Sequence, residues 1–279
     1  MAKTKGPKPN KRELEHPAKT GPSPPAPKWP AFKPALPVTS LSLEEAHPAY
    51  RDKILLVRNF FPKSLCRDYV TYLRGLPFTT TPGRPKRGEA VRVNDRYQID
   101  DLQFAQRLWR ETGLKELLLD DSVRSTWNGE VVGLNPNIRI YRYSQGQFFD
   151  AHYDDYNLVT LPATDDSKNV STKTTWTLLV YLTSAAEGCR GGETVFYPKD
   201  RKVESEAISV SLETGMLLLH KHGDDCLLVR WLPLWSDQTC VSHVYRQPLA
   251  NSSFDHQHEG REVLEGEKWV IRTDLCVKR

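Results

Sequence analysis

The chain has 279 residues, 38% hydrophobic and 27% charged, with a formal net charge of +4. No apolar run approaches the length of a membrane-spanning helix, and the basic N-terminus has no apolar stretch behind it, so neither a membrane helix nor a secretory signal is expected. The five cysteines (Cys66, Cys189, Cys226, Cys240, Cys276) are odd in number and form no Cys-x-x-Cys pair, which predicts reduced thiols and a cytoplasmic or nuclear protein.

Residues 1–37 hold eight Lys or Arg, two acids and ten of the twenty prolines. A segment of that composition cannot bury a core, so residues 1–40 are expected to form a disordered tail. Its basicity admits nuclear targeting or a weak nucleic-acid contact, but prolines interrupt the charges before any run of five forms. The run 52–61 then reads as a strand, and Pro62 opens a helix to about Arg74 with apolar residues at helical spacing. Residues 79–96 read as a polar Gly/Pro loop. Within 93–101, Arg96 is either part of a substrate-facing lid or lies in a loop leading to a helix cap at Asp100 or Asp101. One helix broken at Gly113 follows, so 41–136 is expected to be a helical support region.

From Asn137 the character changes. Short runs rich in Val, Ile, Thr and aromatics follow one another, separated by turn signals: NIRIYRY, QFFDAHY, TTWTLLVYLT, GGETVFYP, AISVSL, MLLLH and KWVIRTDLCV. This pattern predicts an α+β fold, mainly antiparallel β, in which residues 137–279 form a sandwich or jelly roll with the N-terminal helices on one side. Inside it, His152 and Asp154 are two residues apart on a strand, so their side chains share a face. That is either a surface pair at a strand end or two ligands of one metal.

The order of Tyr143, Gly-Gln-x-Phe, His-x-Asp, an apolar strand, Gly-Gly-x-Thr-x-Phe, a further apolar strand, His258 and Gly-x-Lys-Trp resembles the catalytic domain of the iron(II)- and 2-oxoglutarate-dependent dioxygenases, on the prolyl 4-hydroxylase branch. The resemblance covers roughly residues 50–279. It implies a double-stranded β-helix core in which His152, Asp154 and His258 bind Fe(II). Such a triad leaves positions open for 2-oxoglutarate and O2, with ascorbate as an accessory. Among the histidines after Asp154, His220, His222, His243 and His256 compete for the third ligand position, but His258 alone has the matching downstream context. The resemblance puts the far carboxylate of 2-oxoglutarate on Lys268, ten residues after His258, with Tyr143 as a hydrogen-bond partner. Arg272, on the same strand face, is a rival anchor suited to bidentate contact. The implied activity is hydroxylation of a C–H bond in a protein side chain such as proline. The alternatives are the same chemistry on a nucleic acid or small molecule, or a catalytically dead jelly-roll binding module.

Residues 229–257 form an atypical insertion just before His258. These 29 residues contain no Lys, Glu or Gly and two of the seven tryptophans. Their removal joins HGDDCLL to HEGREVLEGEKW in the spacing that the resemblance leads one to expect. We read the segment as translated from a retained intron: Val229 permits a GT donor, Gln257 a CAG acceptor, and the length keeps the frame. A genuine substrate-side loop is the alternative. The expected outcome is a 250-residue form with higher activity. A Gln257 codon of CAA, or loss of turnover when these residues are deleted from an active protein, would refute the intron.

Overall fold

The computed structural model describes residues 27–81, 83–85, 90–162, 168–198, 204–222 and 257–279. Its core is a jelly roll of two antiparallel sheets. The larger runs in the order Glu44–Glu45, Ile54–Val57, Leu217–Lys221, Val170–Tyr181, Glu267–Lys278, Asn137–Ser144, Asp95–Asp100 and Thr79–Thr80. Val131–Leu134 and Leu158–Leu161 pair off that path. The smaller sheet runs Ile208–Val210, Thr194–Phe196, His258–Gly260, Phe148–His152 and Arg92–Val93.

Strand parity divides the larger sheet between two environments. On Glu267–Lys278, the odd residues Trp269, Ile271, Leu275 and Val277 join the core shared with the helices Lys63–Leu73, Leu102–Glu111 and Leu114–Leu119. The even residues Lys268, Val270 and Arg272 face the space between the sheets. The same alternation puts Trp176, Leu178 and Val180 on the helix side. Leu179 and Thr177 lie on the other side, where Thr177 reaches Asp154. The functional side chains therefore project from strands whose opposite face is anchored by aromatic and aliphatic packing.

The helices begin and end where the sequence predicts. Asp101 caps Leu102–Glu111 by accepting from Phe104 N at 2.9 Å, and Gly113, at φ +78°, breaks the chain before Leu114–Leu119. Three expectations need correction. The strand of 52–61 is confined to Ile54–Val57, because Asn59 turns into the left-handed region just beyond it. The segment 79–96 is not a plain loop. Thr79–Thr80 and Arg92–Val93 are strands, and Asp95–Asp100 adds to the main sheet beside Asn137–Ser144. Its polar composition conceals this because its polar groups are paired across the ladder: Arg142 Nη2 lies 2.7 Å from Asp95. The region 41–136 thus contributes strands as well as helical support.

The third correction concerns residues 27–40, read from composition as the end of a tail. Trp29 stacks on Phe104 at 4.1 Å, and its Nε1 donates to Asp101 at 2.7 Å. Phe32 and Leu36 pack on the same core. A few aromatic anchors outweigh the proline-rich average. Residues 1–26 and 229–256, with Cys226, Cys240, His243 and His256, lie outside the described residues. Gln257 is described, and its carbonyl accepts from Tyr197 N at 2.9 Å. Cys66, Cys189 and Cys276 are buried free thiols, and no helix among the described residues is long and apolar enough to cross a membrane.

The turn into Leu217–Lys221 depends on Gly215, at φ +86°, where a Cβ would run into the Phe61 carbonyl. Gly215 also accepts from Phe61 N at 2.9 Å and donates to Tyr181 O at 2.8 Å. Gly215→Ala is expected to cost at least about 2 kcal/mol, combining left-handed strain with the clash. A drop in thermal midpoint checks this, and an unchanged midpoint contradicts it.

Candidate active site

His152 ends the strand Phe148–His152, and Asp154 follows two residues later. Strand His258–Gly260 lies alongside, with His258 the direct cross-strand partner of His152. Ligand atoms of His152, Asp154 and His258 lie within 4.8 Å of one another. His152 Nε2 is 3.9 Å from Asp154 Oδ1, and His258 Nε2 is 3.7 Å from Oδ2. His152 Nδ1 lies 2.8 Å from the Asp150 carbonyl. A carbonyl only accepts, so Nδ1 carries the proton and the Nε2 lone pair is left facing the site. That Nε2 is buried without a hydrogen-bond partner among the described residues.

The opposite sheet supplies the frame. Thr177 Oγ1 donates to Asp154 Oδ2 at 2.7 Å, and Arg272 Nη2 lies 2.9 Å from Oδ1. His222 Nε2 is 2.9 Å from Thr177 Oγ1; since that hydroxyl gives its proton to Asp154, His222 donates to it. Asp274 ion-pairs with Arg139 and lies 3.4 Å from Arg272 Nε. Burial alone would raise the Asp154 pKa, but Arg272 and then His258, His220 and His152 hold it well below the usual carboxylate range. Burial, reinforced by neighbouring cations, lowers all three imidazoles, His220 and His258 to about 3. At neutral pH the cluster is one carboxylate and three neutral imidazoles, the protonation state in which these groups bind metals.

His220 belongs to this cluster, although the sequence context ranks it, with His222, behind His258 as a third ligand. It is 1% exposed, its Nε2 lies 3.6 Å from Asp154 Oδ2, and neither ring nitrogen has a hydrogen-bond partner among the described residues. The missed signal was parity: His220 follows Leu218 on the inward face of Leu217–Lys221. Thr177 was likewise concealed inside an apolar run.

Lys268 is buried, and its Nζ donates to the Gly192 carbonyl at 2.7 Å. It sits over the Tyr143 and Tyr181 rings at 5.4 and 5.5 Å. Tyr143 is its cross-strand partner. No carboxylate among the described residues is within ion-pair distance of this amine. Burial pushes its pKa down to about 8, against the pull of Cys189 and Glu193. Lys268, Tyr143, Leu179, Val270 and Arg272 line a small chamber that ends at His152, Asp154, His220 and His258. Arg272, in contrast, already has Asp154 and Asp274 as partners.

Residues 138–273 match the family model of the 2OG-Fe(II) oxygenase superfamily. The chain carries a domain of that superfamily over this stretch, just under half of its length. It is a 2-oxoglutarate-dependent dioxygenase, an enzyme that uses Fe(II), 2-oxoglutarate and O2, and the donor set fits: two imidazoles and a carboxylate converge, with a buried nitrogen that has no partner among the described residues. A comparison with curated protein sequences returned no match. Similar solved structures include the viral collagen prolyl hydroxylase of Paramecium bursaria Chlorella virus-1 in its 2OG complex (16% identity, 81% of this chain and 96% of that one, TM-score 0.43). A Pseudomonas putida prolyl-4-hydroxylase (14%, 81% and 94%, 0.45) is another. A third is a Trichoplax adhaerens prolyl hydroxylase in complex with a hypoxia-inducible-factor peptide fragment (15%, 80% and 83%, 0.46).

The lowered pKa of Lys268 has a measurable sign. Between about 8 and the model-compound value of 10.5, the unfolded chain holds a proton that the folded one has released, so stability rises with pH in that window. Lys268→Met removes the penalty and is expected to stabilise the protein at pH 7 by up to about 3 kcal/mol while abolishing this rise. Urea unfolding without 2-oxoglutarate across pH 7–10.5 tests it; a marked loss of stability at pH 7 would contradict the account.

Proposed function

We propose that this enzyme hydroxylates a C–H bond in a protein side chain, proline being the best candidate, with His152, Asp154 and His258 holding the iron and Lys268 anchoring 2-oxoglutarate. The net reaction converts R–H, O2 and 2-oxoglutarate into R–OH, succinate and CO2. The observation that carries the site assignment is the buried Lys268 amine. It lacks an acid partner among the described residues and opens on the chamber that ends at the histidine–carboxylate cluster. A dicarboxylate with one end at the cluster would supply the missing anion with the other. Arg272 is less suited to anchor it, because its guanidinium is held by Asp154 and Asp274.

When bound, iron with 2-oxoglutarate and O2 supplies the oxidant that removes the substrate hydrogen. The chain's own residues do the rest. The Asp150 carbonyl fixes the His152 tautomer, while Thr177 and Arg272 fix the Asp154 carboxylate. Phe149 and Phe196 close aromatic faces over the imidazoles: Phe149 stacks on His152 at 3.5 Å, and Phe196 lies 5.7 Å from His258. These rings limit water in the chamber. The protein-side-chain reading is supported by the motif order, which resembles the prolyl 4-hydroxylase branch. It is also supported by a cavity of about 760 Å³ that meets the cluster from outside, with room for a side chain and flanking backbone.

His152→Ala, Asp154→Ala and His258→Ala are each expected to abolish iron binding, read by metal analysis. Lys268→Ala should keep the iron but weaken 2-oxoglutarate binding at least about tenfold, the worth of one buried charge-assisted contact. If Arg272→Ala weakens 2-oxoglutarate while Lys268→Ala does not, the anchor is Arg272. A peptide turnover screen read by the addition of one oxygen atom tests the substrate class.

A further inference from the structure

Two chambers meet at the cluster. Lys268 lines only the small one; Arg92, Arg96 and Arg139 line only the large one, whereas Tyr141, Phe149, His152, Asp154 and Arg272 border both. If the small chamber takes 2-oxoglutarate, the large one is left for the substrate, and its charge is unusual for a cavity of that size.

Among the described residues, neither Arg92 nor Arg96 has a carboxylate within ion-pair distance. Arg92 lies over the Phe149 ring at 4.6 Å and the Tyr141 ring at 5.9 Å, and Arg96 donates to Gln98. Arg139 pairs with Asp274, which Arg272 shares. Once Asp154 is committed to a metal, four guanidiniums have, among the described acids they pair with, Asp274 between them. The described wall of the large chamber adds only one other acid, the exposed Asp155, while Arg84 adds a further cation. The Nε–H groups of Arg96 and Arg139 are buried donors without an acceptor among the described residues, a costly state unless something supplies one. The Tyr141 hydroxyl records the same field. Burial would raise its pKa, yet Arg272, Arg139, Arg96 and Arg92 bring it below the ordinary value.

We infer that the large chamber is a subsite for an anionic group carried by a peptide substrate, gripped by Arg92 and Arg96 with Arg139 behind them. The group is the carboxylate of an aspartate or glutamate, or the phosphate of a phosphoserine, close in sequence to the oxidised residue. Guanidinium forks match both oxyanions bidentately. This inference rests on the reading of the site as a protein hydroxylase. It assigns to Arg92 and Arg96 a substrate-recognition role that the metal and 2-oxoglutarate do not require.

The test uses the full chain loaded with manganese(II) and 2-oxoglutarate, and fluorescent peptide pools with a fixed central proline. The flanks are Asp/Glu in one pool, phosphoserine in a second and Asn/Gln in a third; a random single-stranded DNA oligonucleotide is the fourth probe. Anisotropy should show the Asp/Glu or phosphoserine pool binding at least about tenfold more tightly than the Asn/Gln pool, and the tighter of the two identifies the oxyanion. Arg92→Gln and Arg96→Gln should each remove most of that preference, and Arg96→Lys should restore part of it. Calorimetric 2-oxoglutarate binding by the same variants verifies that they are folded. Equal or absent binding of all peptide pools overturns the inference. So does a preference for the oligonucleotide over every peptide, or an acidic preference that survives both glutamine variants. With iron in place of manganese, an acidic pool that binds but gains no oxygen would retire the prolyl reading and leave the anion subsite standing.

Discussion

The Asp154 carboxylate is the point on which the interior is organised. It is reached from one sheet by His152 and His258 and from the other by His220, Thr177 and Arg272. A charge placed there without partners would cost several kcal/mol. Each surrounding group lowers that cost by a hydrogen bond, an ion pair or an imidazole dipole. The network continues from Thr177 to His222 and from Arg272 to Asp274, Arg139 and Asn135. Their placement makes sense as the support of one carboxylate between two sheets.

Strand Glu267–Lys278 shows how a single stretch serves two purposes. Its outward residues, from Trp269 to Val277, complete the core beneath the helices, while its inward residues carry a lysine, an arginine and an aspartate past the site. Because the alternation is strict, Lys268 and Arg272 are held about two residue pairs apart on a rigid ladder. One lines the small chamber and the other stands where the two chambers join. Backbone pairing thus sets the spacing between the two cations, without reliance on any loop.

Much of this was legible in the sequence, for physical reasons that can be named. The strands of the core announced themselves by β-branched and aromatic runs, and the helix break by Gly113. The convergence of His152, Asp154 and His258 followed from a motif order that resembles a known family. What escaped was polar structure that is satisfied by partners distant in sequence. Asp95–Asp100 looked like a loop because its partner Arg142 lies 47 residues away. His220 ranked behind His258 because a histidine on a strand does not reveal which sheet will cover it. Trp29 looked like tail because composition averages over a segment, whereas stacking on Phe104 needs only one ring. Local pattern reports an element's own face; it does not report what arrives opposite.

The Asp154–Arg272 ion pair has one further consequence. A carboxylate closed among neutral imidazoles could have depended on the metal for charge balance, and the chain would then have folded only as it loaded, as small zinc domains do. Here a guanidinium supplies the balance first. The two sheets can close over the site before any ion arrives. Closure of the two sheets is thereby a matter of packing and internal charge pairing rather than of metal supply.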